Sequence, residues 1–187
     1  MRFEQYINEA RITDTDDLAS LIKKECKWFF KEKLTNKFLY RGTISIIDDY
    51  KKIIPRKKRM PKDTPIHIHN FMNKVFTKKF GWPGRNGVFA TSKASVAGGH
   101  SPTVKAYLFF PVGKYKYIWS PKTDDFYMYV GREIPHEKKF FAPSMAEILA
   151  ETYIDNNLPL AMEKGYEISF WCDAYYLVDL RYKKYFL

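Results

Sequence analysis

The stretch Gly165-Tyr166-Glu167-Ile168-Ser169-Phe170-Trp171-Cys172-Asp173-Ala174-Tyr175-Tyr176-Leu177-Val178 sets the architecture of this chain. Residues two apart on a strand share a face, so Ile168, Phe170 and Cys172 point one way and Glu167 and Ser169 the other. A turn at Cys172-Asp173-Ala174 then leads into a second strand, Tyr175 to Leu180. One carboxylate is lifted off an otherwise apolar strand and given a fixed direction. A carboxylate held this way is either a surface group or a catalytic one, and the residues upstream bear on the choice.

Two earlier apolar segments also end in polar groups. Phe38-Leu39-Tyr40-Arg41-Gly42 is a short strand closing on an Arg-Gly pair, and Gly87-Val88-Phe89-Ala90-Thr91-Ser92 closes on adjacent hydroxyls. In order, the chain offers Arg at a strand end, Thr-Ser at a strand end and Glu opening a strand, with spacings of 51 and 75 residues from Arg41 to Ser92 to Glu167. This ordered trio resembles the Arg-Ser-Glu class of mono-ADP-ribosyltransferases. Those enzymes arrange an aromatic-Arg strand, a Ser-Thr-Ser strand and a Glu-containing strand around NAD. Glu167 to Val178 follows the family's last motif, and the resemblance spans about residues 38 to 180.

The resemblance implies an α+β fold: an ADP-ribosyltransferase-like split sheet, mixed or mostly antiparallel, with a helical N-terminal portion at residues 1–35 and an NAD-cleft core at 36–187, in one domain. It implies NAD as substrate and cleavage of the nicotinamide–ribose bond through an oxocarbenium-like state, as in glycoside transfer. The leaving group is neutral, so a fixed negative charge beside the ribose is the main requirement. Glu167 takes that role. Arg41 holds the NAD phosphate through paired charged hydrogen bonds. Gly42 leaves room for backbone contact with the nicotinamide amide, Ser92 orients Glu167, and Thr91 supports the strand. Tyr40 and Phe89 flank the site. The loop from Ala94 to His100, with its Gly98-Gly99 pair, falls where the family has a mobile loop that closes over the dinucleotide. There are two departures. Ala90 stands where the second motif usually begins with Ser, and Gly165 replaces the Glu or Gln that many members carry two residues before the catalytic Glu. The second departure sets the chain apart from the arginine-modifying pattern. Small, basic members of this class are often virus- or bacterium-encoded, so a bacteriophage effector acting on a host protein or nucleic acid fits the resemblance.

Composition bounds the alternatives. The 187 residues suit one domain with a sizeable core. Hydrophobic content of 45%, with 18% aromatic residues, excludes general disorder and favours sheet. Two cysteines, Cys26 and Cys172, rule out a disulfide scaffold and fit a reducing cytoplasm. Neither a signal peptide nor an 18-residue apolar run is present, so a cytoplasmic protein without a membrane anchor is expected. The formal net charge of +11 draws polyanions. A non-enzymatic, nucleic-acid-binding or virion-associated protein on the same fold is therefore the alternative reading, and oligomeric state is left open. The cluster Arg56-Lys57-Lys58-Arg59 is either a phosphate-gripping surface or a solvated loop. His67 and His69 lie two apart on an expected helix and do not share a face, so no metal site is expected.

Other elements follow from periodicity and punctuation. A helix is expected from Asp14 to Leu34 after an amphipathic arm at residues 2–9. A second begins at Thr64-Pro65, with Thr64 as cap, and runs to about Phe80. Ile44 to Tyr50 reads as strand or helix, and 51–62 as a loop broken by Pro55 and Pro61. Lys105 to Trp119 carries one or two strands around Val112-Gly113-Lys114. Asp125 to Val130 reads as a strand and Pro143 to about Leu158 as a helix.

Overall fold

The computed structural model describes residues 15–32, 34, 38–60, 64–99, 103–124 and 143–187. The expected arm at 2–9, the turn at Thr35-Asn36-Lys37, the strand at Asp125 to Val130, and His100 and His136 lie outside them. Helix α1 (Thr15–Glu25) opens on Asp16 and Asp17 and closes on Lys23 and Lys24, matching both ends of its dipole. It buries Leu18, Ala19 and Ile22. The helix expected to continue to Leu34 is interrupted at Cys26 and resumes as α2 (Lys27–Lys31). The cause is tertiary. The Glu25 carbonyl accepts from the Gly113 amide (2.9 Å), while the Phe29 amide turns back to the Cys26 carbonyl (2.9 Å).

Among the described residues, seven strands form two sheets: β1 (Tyr40–Thr43), β2 (Tyr50–Ile53), β3 (Val88–Ala90), β4 (Lys105–Pro111), β5 (Lys116–Trp119), β6 (Ile168–Trp171) and β7 (Tyr175–Val178). The first sheet runs β1-β4-β7-β2 and the second β3-β6-β5. Every ladder among the described residues is antiparallel, so the fold is α+β. Chain neighbours β4 and β5 belong to different sheets, as do β6 and β7. The turn at Cys172-Asp173-Ala174 is thus a crossing between sheets. β2 lies where a loop was expected from Lys51 onward. It is an edge strand, and Lys52 is anchored over the Tyr176 ring (5.5 Å) and pairs with Glu25 (2.7 Å). Ile44 and Ile46 are exposed in the bend before it.

The other helices among the described residues are α3 (Ile66–Phe80), α4 (Ala94–Gly98), α5 (Pro143–Glu151) and α6 (Leu158–Lys164), with 3-10 turns at Gly84–Asn86 and Leu180–Phe186. α3 starts one residue later than expected, because Pro65 is still extended (ψ 137°) and itself stands at the N-cap position. α6 is unanticipated. The α5 helix stops early because Ile154 leaves it to form a bridge with Trp119. Asn157, at φ 59°, then opens α6 by accepting from the Leu160 amide. The last expected strand ends at Val178, where Asp179 caps the C-terminal turn.

Between the sheets lies the main core. Leu108, Phe109, Phe110, Phe170, Tyr176 and Leu177 are almost wholly buried, and the Phe109 and Phe170 rings, 5.2 Å apart, join one sheet to the other. A second cluster, with Met72, Phe76, Trp82, Ile118 and Leu149, covers the far face of the second sheet. Each such side chain contributes about 1.5–3 kcal/mol. Both faces of β6 are consequently buried, and Ser169 is not the solvent-facing residue that alternation alone suggests. Its hydroxyl donates to the Gly84 carbonyl (2.6 Å).

Candidate functional site: the junction of the two sheets

The sheets meet where β1 and β3 touch. Tyr40 and Thr91 exchange two backbone hydrogen bonds (2.7 and 3.0 Å) across an isolated bridge. β3 pairs with β6 so that Ala90 faces Ile168; Thr91 follows the first of these and Glu167 precedes the second. The ends of all three motif strands therefore lie side by side. Their side chains have different partners. Arg41 Nη1 donates to the Phe89 carbonyl (2.7 Å), and its guanidinium lies 5.9 Å from the Tyr175 ring centre. Thr91 Oγ1 donates to the Gly165 carbonyl (2.9 Å), and Ser92 Oγ donates to the Met162 carbonyl. The Glu167 amide donates to the Asp124 carbonyl (2.9 Å), while Glu167 Oε1 lies 3.5 Å from Arg85 Nη1.

Three expected roles change in this arrangement. A hydroxyl has a single proton to donate, and Ser92 directs it to α6 rather than to Glu167. Ser92 and Thr91 together hold the segment that leads into Glu167. Gly42 does permit a close approach, but its occupant is protein: a Cβ there would lie 1.8 Å from the Ala97 carbonyl oxygen. The segment expected to be a mobile loop forms α4, whose backbone presses on β1 at this point. Tyr40 is core, buried with the Lys183 ammonium 5.6 Å from its ring. Phe89 stays half-buried, with the guanidinium groups of Arg59 and Arg85 at 4.4 and 4.8 Å from its ring centre.

The structure adds residues that the strand motifs do not announce. Arg85 is nearly buried and projects from the 3-10 turn Gly84–Asn86. That turn is tied down by α3: Asn73 Oδ1 accepts from the Arg85 amide (2.8 Å), and Asn73 Nδ2 donates to Asn86 Oδ1 (2.9 Å). Asn86 Nδ2 reaches the Lys57 carbonyl (2.8 Å), and Arg59 Nη1 the Gly87 carbonyl (3.5 Å), so the basic stretch 56–59 is fastened to the same turn. His69 completes the network, with Nε2 2.9 Å from Asn86 Oδ1 and 3.0 Å from Asn73 Nδ2. Burial, then the nearby Arg85 and Arg59 charges, hold its ring below the usual histidine range against the opposing hydrogen bonds from Asn86 and the Arg59 backbone. Gly84 lets the turn sit on the core, where a Cβ would meet Ile118 at 2.3 Å. The one sequence signal for this assembly is His69 and Asn73 at i, i+4 on one helix face.

Chemically, the junction offers a carboxylate on a strand end, held by backbone and by a guanidinium, beside a cationic and aromatic rim. Among the described residues no group of three or more His, Cys, Asp or Glu is placed to hold a metal ion, and no helix is long and apolar enough to cross a membrane. No protein-family model matches this chain, no curated protein matches its sequence, and no solved structure matches it.

Proposed function

We propose that this chain is an NAD-dependent mono-ADP-ribosyltransferase, which transfers ADP-ribose from NAD to a macromolecule and releases nicotinamide. The observation that carries the reading is the junction itself. Two antiparallel sheets abut at Tyr40–Thr91, so the Arg41, Thr91-Ser92 and Glu167 strand ends adjoin although 126 residues separate the first from the last. Arg41 binds the anionic dinucleotide, since a guanidinium matches phosphate with paired hydrogen bonds. The Glu167 carboxylate hydrogen-bonds the nicotinamide ribose and stabilises the positive charge that grows as the C–N bond breaks. Thr91 and Ser92 act on it indirectly by fixing the Met162–Gly165 approach, and Arg85 directs the carboxylate toward the junction.

The test follows nicotinamide release and transfer of label from adenylate-labelled NAD into a bacterial lysate. Glu167→Gln is expected to keep the fold and lower turnover about 100-fold or more, the scale of losing one charge-stabilising group. Arg41→Ala is expected mainly to raise KM for NAD. Full turnover by Glu167→Gln would remove the mechanism. A folded wild-type protein that releases no nicotinamide would favour the second reading, a non-enzymatic basic nucleic-acid-binding protein. The observation on that side is the Glu167–Arg85 pair, which then serves only to hold the turn to the sheet.

A further inference from the structure

We infer that the rim formed by the stretch 54–60, Phe89 and Trp171 is a docking surface for single-stranded nucleic acid, which it presents to Glu167 as the acceptor of ADP-ribose. The acceptor role rests on the reading above; the docking surface does not.

The surface is laid out along β6. Glu167 precedes the strand, Ser169 lies opposite Phe89, and Trp171 ends it. At about 3.3 Å per residue, Phe89 and Trp171 stand roughly 7 Å apart along the strand, far enough to serve as separate platforms. Both rings are half-buried, so each keeps an accessible portion. Each also has a cation against it, Arg59 and Arg85 on Phe89 and Lys57 on Trp171 at 5.7 Å. Trp171 is braced from behind by Trp82, with ring centres 5.6 Å apart. Gly87 packs closely on β6, where a Cβ would strike Ser169 Oγ at 2.2 Å.

The cations come from a segment held in place rather than loosely solvated. Asn86 grips the Lys57 carbonyl and Arg59 grips Gly87, which brings the exposed Arg56, Lys57 and Lys58 alongside the aromatic pair. Asp173, highly exposed and 3.3 Å from Lys57, is a carboxylate at the edge of this rim. An acidic protein would be satisfied by the charges alone. Alternation of cations with aromatic faces is the pattern that binds phosphates and stacks bases together, and it leads along the strand to Glu167. In the transfer, a nucleophilic oxygen or nitrogen of the nucleic acid forms a bond to C1′ of the NAD ribose. The C1′–nicotinamide bond breaks with its electron pair leaving on neutral nicotinamide, and the nucleophile's proton passes to water.

The experiment is fluorescence anisotropy of the full chain with labelled 16-nucleotide oligothymidine and oligouridine at several salt concentrations. Replacing three cations, as Arg56→Glu, Lys57→Gln and Lys58→Glu together, is expected to weaken binding at least about 10-fold at low salt. It should also lower the logarithmic salt slope by about 2, at about 0.7 per phosphate contact. Trp171→Leu is expected to weaken binding about 5-fold or more through lost stacking. Lys23→Glu with Lys24→Glu on α1 is the control and should change binding little. Absence of binding by wild type, an equal loss in the α1 control, or competition by polyglutamate as effective as by oligonucleotide would overturn the surface. Label from NAD entering only protein would overturn the acceptor role. Nicotinamide release is read in the same samples. Wild-type protein that binds the oligonucleotides but releases none would remove the transferase reading and leave the docking surface standing.

Discussion

His69 is buried near the Arg85 and Arg59 guanidinium groups, and a proton added to its ring would place a third positive charge there. Its folded-state affinity for a proton is lower than in the unfolded chain, where the ring titrates near 6.5. The unfolded state therefore gains protons first as pH falls, and stability drops. The contribution is fully present above the unfolded value and is lost as pH falls below 6.5 toward the lower folded value. Thermal unfolding between pH 8 and 5 is expected to show a declining midpoint for wild type and a flatter profile for His69→Gln; equal slopes would count against this account. Single residues were unequally readable from the chain. Glu167 stood out because a charge opens an apolar run, and Arg41 because it follows one, although β1 begins at Tyr40 and runs on to Thr43. Arg85 did not, since an Arg inside Pro83-Gly84-Arg85-Asn86-Gly87 looks like any turn residue. Its burial depends on Asn73, twelve residues earlier on another element.

Between elements, the sharpest contact is α4 against β1. Gly42 has no Cβ, and the Ala97 carbonyl occupies the place where one would be. The obstacle is backbone rather than a flexible side chain, so Gly42→Ala cannot be relieved by a rotamer change. It is expected to displace α4 and cost about 1–3 kcal/mol, the range for overpacking, or about 2–4 °C in Tm per kcal/mol for a chain of this size. Calorimetry would check it, and an unchanged Tm would show that α4 leaves β1 readily. Local pattern anticipated α3 and β3 well, because turns and periodicity agree there. It did not anticipate α6, whose seven residues are bounded by two left-handed residues, Asn157 (φ 59°) and Gly165 (φ 71°). β2 was also missed: two adjacent lysines suggest a loop until Tyr176 and Glu25 are there to receive Lys52.

Across the whole molecule, one core cluster contains both cysteines. Burial pushes the Cys172 thiol up to about 12, with the Asp173 charge adding to it, and burial raises Cys26 as well. Neither forms the reactive thiolate near neutral pH. The native protein is expected to leave both unmodified by a disulfide reagent, and both should become reactive together along a urea titration that tracks loss of circular dichroism. Modification of one thiol well before the other would mean that the two sheets open separately. The amino-acid pattern alone was enough for a chain of mixed helices and strands, an aromatic core, the three motif strands and the direction of Ile168 and Phe170. These depend on side-chain period and on turn chemistry, which are local. Assignment of strands to sheets was not local: β4 and β5, and β6 and β7, are neighbours in the chain yet belong to different sheets. The Tyr40–Thr91 bridge, the burial of Ser169, the pairing of Glu167 with Arg85 and the fastening of the basic stretch beside Phe89 all follow from that assignment. Each is a contact between residues dozens of positions apart, whose hydrogen-bond partners and burial exist only once the two sheets have packed.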